Sequence, residues 1–342
     1  MLHRFAKLVA GCTVLLVLAG SLVTSTDSGL SVPDWPTTYG WNMFTFPPSK
    51  WVGGIFYEHG HRLIASTVGF LTIVLAVWLA IKEPRRWLKN LGAAALGAVV
   101  AQGVLGGLTV LFFLPAPISI AHAALAEVFL CLTMAIALFT SPGWIEGYEG
   151  APADDAGLRR AATATTALVY VQILVGAAMR HTGAGLAIPD FPLMFGRLWP
   201  AAWDPKIAVH FAHRVGALVV AGAIVTTCAR VWSRHSSRGE LKRPAALLVS
   251  LVAVQITLGA LTVLSRLNVA VNSVHVVCGA LVLATSLVLT LRTWRVRFAP
   301  VQVRLKADAT AAVAPVVTSA VRSVRLQTDD RVQADSRSGV RA

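Results

Sequence analysis

Gly29-Leu30-Ser31-Val32-Pro33-Asp34-Trp35-Pro36 returns later in the chain as Gly185-Leu186-Ala187-Ile188-Pro189-Asp190-Phe191-Pro192. The repetition extends outward from these stretches. His61-Arg62 returns as His213-Arg214, and His122 returns as His275. Gln102 with Gly106, Leu108 and Thr109 returns as Gln255 with Gly259, Leu261 and Thr262. The two copies stay 152–156 residues apart throughout. A tandem duplication that keeps a histidine pair within apolar sequence in each copy points to two related sites.

The composition is that of a polytopic membrane protein. Hydrophobic residues make up 56% of the 342, charged ones 13%, and mean hydropathy is +0.67. A bilayer core needs about 20 apolar residues per helix. Eight such spans are expected, over 6–25, 60–81, 91–114, 118–140, 160–180, 207–232, 245–265 and 269–292. The first has a basic start, an apolar run and small residues at Ala19-Gly20-Ser21, as a signal peptide would. Its counterpart at 160–180 is internal, so the first is read as a retained helix. The fold class expected is all-α: two tandem four-helix bundles related by a pseudo-two-fold axis along the membrane normal. The halves are 1–140 and 159–292, joined by a cytoplasmic linker over 141–158. A basic tail over 293–342, without a helical stripe, is expected to be disordered.

The net charge of +14 gathers at helix ends. Arg4 and Lys7, then Lys82, Arg85, Arg86 and Lys89, then Arg159 and Arg160 fall on one side. Arg234, Arg238, Lys242, Arg243, Arg292, Arg295 and Arg297 join them. The other side holds few cations: Lys50, Arg197, Lys206 and Arg266. The positive-inside rule places both termini in the cytoplasm. Because the charge tracks helix ends and not one face, a nucleic-acid partner is not expected. The short stretch before the first span leaves no room for a long organellar presequence, so a bacterial plasma membrane is expected. Cys12, Cys131, Cys228 and Cys278 all fall within spans and form no CxxC, which argues for buried thiols and against a zinc site.

On this topology His61 and His122 lie near the outer starts of the second and fourth spans, on neighbouring helices at similar depth. His213 and His275 do the same in the sixth and eighth. A single intramembrane histidine is adequately explained by a helix–helix hydrogen bond. Two pairs at matching depth suit haem, whose iron takes axial ligands on opposite faces from facing helices. A bare metal needs more ligands than one pair supplies. His210 lies three residues before His213, on the same helix face, as an alternative ligand or a partner to it. His59 points elsewhere, and His3, His181 and His235 are expected to be solvated.

One position breaks the repeat. Glu58, three residues before His61, faces His210 in the second copy. A carboxylate on the ligand's helix face at the membrane edge is a candidate for moving protons. Arg62 and Arg214 pair with haem carboxylates or reach lipid headgroups. Glu127, below His122, is costly at that depth unless partnered. Gln102 and Gln255, with the glycines after them, let helices approach and bond across. The repeated Pro-Asp-aromatic-Pro loops read either as lids over the sites or as compact connectors. Trp35, Trp41, Trp51, Trp199 and Trp203 fit an aromatic belt at the outer boundary.

Taken in order, the Gly-Leu-Ser-x-Pro-Asp-Trp-Pro loop, Glu58-x-x-His61-Arg62, His122, and the pair His213 and His275 resemble the haem A synthases, membrane enzymes that make haem A for cytochrome oxidase. The resemblance covers about residues 5–292. It implies that His61 and His122 handle the substrate haem O and that His213 and His275 hold a haem b for electron transfer. It implies that Glu58 is the catalytic carboxylate, and that a methyl group of haem O becomes a formyl group through hydroxylated intermediates. It implies as partners membrane lipid, haem O synthase, oxidase assembly factors and an electron acceptor the sequence does not identify. Many relatives carry a cysteine pair in the outer loops, where this chain has none. Two other readings compete: a di-haem cytochrome b carrying electrons without altering the haem, and a transporter built from parallel repeats.

Overall fold

In a computed structural model, which describes residues 1–147 and 154–298, eight helices are long and apolar enough to cross a membrane. They are α1 (Leu2–Ser25), α2 (Gly54–Lys82), α3 (Arg86–Leu111), α4 (Ala116–Phe139), α6 (Ala156–His181), α7 (Pro205–Arg234), α8 (Gly239–Leu264) and α9 (Val269–Trp294). A single turn, α5 (Pro142–Ile145), follows α4. No strand occurs among the described residues. The expected spans are all present. Several begin earlier than their apolar runs do, α2 at 54 and α6 at 156, because polar and aromatic residues continue the helix past the apolar stretch.

Met1–Trp294 form one compact unit. The following unit is described only at its start, a 3-10 turn over Arg295–Phe298. The rest of the tail expected over 293–342, and 148–153 of the expected linker, lie outside the described residues.

Local sequence explains the helix ends. Asp204 caps α7 by accepting from Lys206 N and Ile207 N at 2.7 and 2.8 Å, with Pro205 in the first turn. Asp155 caps α6 through Leu158 N at 2.9 Å and also takes Arg230 and His235 from the end of α7. The Arg230 bond holds the Asp155 carboxyl far below the usual carboxylate range. Pro244 stands inside α8 and has no N–H for the carbonyl of Glu240, four residues back. Arg292 of α9 supplies the missing donor at 2.5 Å.

α1 packs on α2, α2 on α3, α3 on α4, and α4 on α1. α6, α7, α8 and α9 close the same ring. Each ring has its own apolar core, one around Leu75, Leu79, Leu88 and Ile136, the other around Ile224, Leu241, Leu248 and Leu283. α1 packs on α9, α4 on α6, and α4 on α9, where Leu130 meets Ala280 and Ala284. The expectation that His61 and His122 sit on neighbouring helices is corrected here. α2 and α4 are not a packing pair; they face each other across the ring, as do α7 and α9.

The repeat is visible in the backbone itself. Phe113 and Leu114 turn from α3 to α4 at φ 59° and 58°, and Arg266 and Leu267 turn from α8 to α9 at 53° and 64°. The last amide of each turn reaches back to a threonine carbonyl, Leu114 to Thr109 at 2.7 Å and Leu267 to Thr262 at 2.8 Å. Leu114 and Leu267 then pack on Gly29 and Gly185, the glycines that open the repeated loop motif.

Candidate histidine sites and their loops

Each of the four paired histidines lies against a glycine of the preceding long helix. A Cβ on Gly20 of α1 would stand 3.1 Å from His61 Cε1, and one on Gly106 of α3 3.3 Å from His122 Cε1. In the second copy, Gly176 of α6 gives 2.9 Å to His213 Cε1 and Gly259 of α8 gives 3.1 Å to His275 Cε1. Each ring stands about two turns inside its helix, counted from the end that carries the long loops. All four residues are half-buried. Nδ1 of His61, His122 and His275 is nonetheless sealed; the His61 ring has no hydrogen-bond partner, whereas the His122 and His275 rings face the backbone of Gln102 and Gln255. The accessible part of those side chains therefore lies away from Nδ1.

The two loops are fastened in the same way. Asp34 accepts from Tyr39 N at 2.7 Å and Gly40 N at 2.8 Å, and Asp190 accepts from Phe195 N at 2.8 Å and Gly196 N at 2.7 Å. Tyr39-Gly40 and Phe195-Gly196 all take positive φ, closing equal tight turns. Both Trp35-Pro36 and Phe191-Pro192 are cis. Burial works to raise the Asp34 carboxyl, but the bonds from Gly40, Thr37 and Tyr39 outweigh it and hold it below the ordinary range. For Asp190 the Gly196 bond is the largest influence and the result is also a lowered value.

Arg62 donates through Nη1 to Asp34 O and Thr37 O at 2.7 and 3.0 Å, and through Nη2 to Val32 O at 2.9 Å and Glu58 Oε1 at 2.7 Å. Arg214 donates to Leu193 O, Ile188 O and Asp190 O at 2.7–3.0 Å. Of five guanidinium hydrogens, four are committed at Arg62 and three at Arg214. These arginines clamp their loops onto the helix that follows.

Glu58, 3% exposed, is part of the clamp. Its second oxygen accepts from Val32 N at 2.8 Å. In the other copy Ile188 N reaches His210 Nδ1 at 3.3 Å, and Ala184 O lies 3.1 Å from the same nitrogen. His210 is therefore the loop anchor that replaces Glu58. His59 is buried between Phe46 and Trp51 with Thr38 on Nδ1, while its counterpart Phe211 packs on Trp199 and Trp203.

Three histidines expected to be solvated are engaged. His3 meets Ala137 O at 3.0 Å, His235 meets Asp155 at 3.0 Å, and His181 is half-buried in the last turn of α6. Each sits within or just after a helix whose end is packed, which the apolar runs alone did not reveal. Glu127 is 5% exposed and its Oε2 has no partner. Gln255 Nε2 contacts His275 Nε2 at 3.4 Å, and the amide oxygens of Gln102 and Gln255 are both buried without a partner.

One feature of the second site escaped sequence reading. Gln172 of α6 contacts His213 Nδ1 at 3.0 Å and His213 O at 2.7 Å. Its amide oxygen fills the place where Gly216 lacks a Cβ. The equivalent positions in the first copy are Leu16 and Ile64. A glutamine one helix turn before a small-residue pair, absent from the matching span, was the available signal.

The COX15-CtaA family pattern, described as cytochrome oxidase assembly protein, matches residues 3–287. A protein of Symbiobacterium thermophilum named heme A synthase is 33% identical over 272 residues, covering 77% of this chain and 85% of the relative. Proteins of the same name from Halalkalibacterium halodurans and Caulobacter vibrioides are 28% identical over 294 residues and 29% over 332. These alignments cover 83% and 85% of this chain, and 95% and 94% of the relatives.

Proposed function

The chain belongs to the COX15-CtaA family of cytochrome oxidase assembly proteins, and from that membership we infer its chemistry. It is a membrane enzyme that converts haem O to haem A for cytochrome oxidase. The reaction turns a ring methyl group into a formyl group: two hydrogens give way to one oxygen, a four-electron oxidation whose electrons pass to a separate acceptor.

The observation that carries the assignment of residues is the glycine-backed histidine repeated in both copies. His61 and His122 handle haem O; His213 and His275 hold haem b. The donor set fits. Two imidazoles approach from opposite sides of each helix ring, and Nδ1 is sealed in three of the four, which leaves Nε2 as the nitrogen open to a ligand. A flat macrocycle needs close helix approach around its ligands, which the glycines allow. At His213, the Gln172 amide can partner Nδ1 in either tautomer, donating through nitrogen or accepting through oxygen after a half-turn. At His275, Nε2 would be the nitrogen to hold the haem, and the Gln255 contact would have to give way. Haem b, when bound, supplies electron transfer.

The halves 1–140 and 159–292 are two bundles related by an axis along the membrane normal. Support comes from reciprocity: α1 on α9 matches α6 on α4, and α4 meets its own counterpart α9. The distribution of arginine and lysine supports cytoplasmic termini, and bacterial relatives support a plasma membrane. The repeated loops are lids. Arg62 and Arg214 fasten them and leave few donors for haem carboxylates.

Glu58 is the catalytic carboxylate. With the lid closed its oxygens are held by Val32 N–H and Arg62. Lifting Val32 frees Oε2 to receive the protons released as the methyl group gives up electrons to the acceptor. In membranes that also contain a source of haem O, Glu58→Ala is expected to keep bound haem and yield no formyl-haem on extraction and chromatography. Continued formation of haem A in that variant removes Glu58 from the mechanism. The replacement of Glu58 by His210 argues against a carrier with two equivalent haems.

A further inference from the structure

The seam where α1, α6 and α9 meet holds a guanidinium without a carboxylate. Arg180 stands in the last turn of α6. Its Nη2 donates to Ser21 O at 2.9 Å and Ser25 Oγ at 2.7 Å. Ser25 Oγ is a hub, meeting Asn272 Nδ2 at 3.3 Å and Ser273 Oγ at 3.1 Å. Those bonds fix the head of the side chain from two neighbouring helices.

The other edge is free. Among the described residues Nε and Nη1 of Arg180 make no hydrogen bond, and no carboxylate lies within 4.0 Å. Those nitrogens are not sealed from solvent either. Arg62, Arg85, Arg159, Arg230 and Arg238, by contrast, each pair with an acidic side chain. Asp27 acts on Arg180 only from beyond ion-pair distance. A guanidinium held half-buried in an apolar seam is unfavourable unless an anion completes it.

Its surroundings say which anion. Asn272 lies three residues before His275, on the same face of α9. Arg180 itself lies one helix turn after Gly176, the backing of His213, and is near enough to His275 for its charge to be felt there. The group thus borders the second histidine pair. A porphyrin there brings two carboxylates, and the clamps at Arg62 and Arg214 are already occupied. We propose that Arg180 is the carboxylate-binding residue of the second-half site, its Nε–Nη1 edge taking a porphyrin propionate. A planar fork suits a carboxylate better than a point charge does. The equivalent position in the first copy is Thr24, so the first site lacks this hold.

The inference rests on the haem reading of His213 and His275, and the test separates the two. In the full chain carrying His122→Ala, so that only the second pair is complete, iron protoporphyrin IX and its dimethyl ester are titrated by Soret absorbance. The free acid is expected to bind about ten-fold tighter than the ester, the scale of one charge-assisted contact. Arg180→Gln erases that preference without weakening the ester. Arg180→Lys, which keeps the charge and is the safer variant for folding, retains an intermediate preference. A preference unchanged in both variants, or equal weakening of acid and ester, overturns the assignment to Arg180. Failure of either porphyrin to bind before Arg180 is altered overturns the haem reading itself.

Discussion

The two copies share a frame and differ in what they anchor to it. Turn for turn, the loops after α1 and α6 repeat the same aspartate bonds, the same positive-φ pairs and the same arginine clamp. Against that constant background stand three exchanges. Glu58 becomes His210 at the loop anchor, Leu16 and Ile64 become Gln172 and Gly216 beside the first histidine of the pair, and Thr24 becomes Arg180 at the seam. The first site keeps an acid and leaves the His61 ring without a partner. The second loses the acid and gains contacts that hold the ring. One scaffold thus carries two unlike sites, as the proposed division between turnover in the first and retention in the second requires.

Removing the clamps should break the comparison most strongly. Arg62→Ala leaves Glu58 buried without its counter-charge, a cost of about 3–5 kcal/mol. Arg214→Ala strands backbone carbonyls beside a histidine, about 1–3 kcal/mol. Limited proteolysis of the two loops should therefore show the first opening more than the second; equal opening would mean that Glu58 is not charged in the clamp.

Next come the glycine backings. Alanine at 176 puts a methyl 2.9 Å from His213, and alanine at 20 puts one 3.1 Å from His61. Overpacking of this kind costs ~1–3 kcal/mol. Gly176→Ala is expected to lower haem content more than Gly20→Ala, with haem per protein as the measure. The exchange Gln172→Leu removes both Gln172 contacts to His213 and, through the one to the ring, should loosen the second haem by roughly two- to ten-fold. Adding Gly216→Ile to that variant should be tolerated, whereas Gly216→Ile with Gln172 present collides with the amide and should not.

The smallest effect concerns acid. Asp34 and Asp190 both have lowered values in the folded loops relative to the ordinary 3.8. Their stabilisation is therefore complete above that pH and fades as pH falls below it through the lowered values. Both loops should hold from neutral pH to about 4 and loosen together below it. Asp34→Asn and Asp190→Asn should remove this acid dependence from one loop at a time.

Much of this was legible in the sequence. Eight apolar runs and a constant offset gave the helices and the duplication, because hydropathy and repetition are local properties. The histidine pairs were found the same way. What stayed hidden depends on which helices meet. Ala19-Gly20-Ser21 looks like a cleavage signal in isolation, yet Gly20 is small because His61 lies on it. Arg62 and Arg214 looked like candidates for haem carboxylates until the loops were seen to fold back onto them. Arg180 carried no signal at all, since only the α1–α6–α9 seam explains its position.

The division of labour between the copies is tested most directly by the haems each one holds. His122→Ala and His275→Ala proteins, made beside a source of haem O, are extracted and their haems separated by chromatography. The His122→Ala protein should retain haem b and lack haem O and haem A. The His275→Ala protein should lose haem b while haem O stays bound. The same haems missing from both variants would contradict the account.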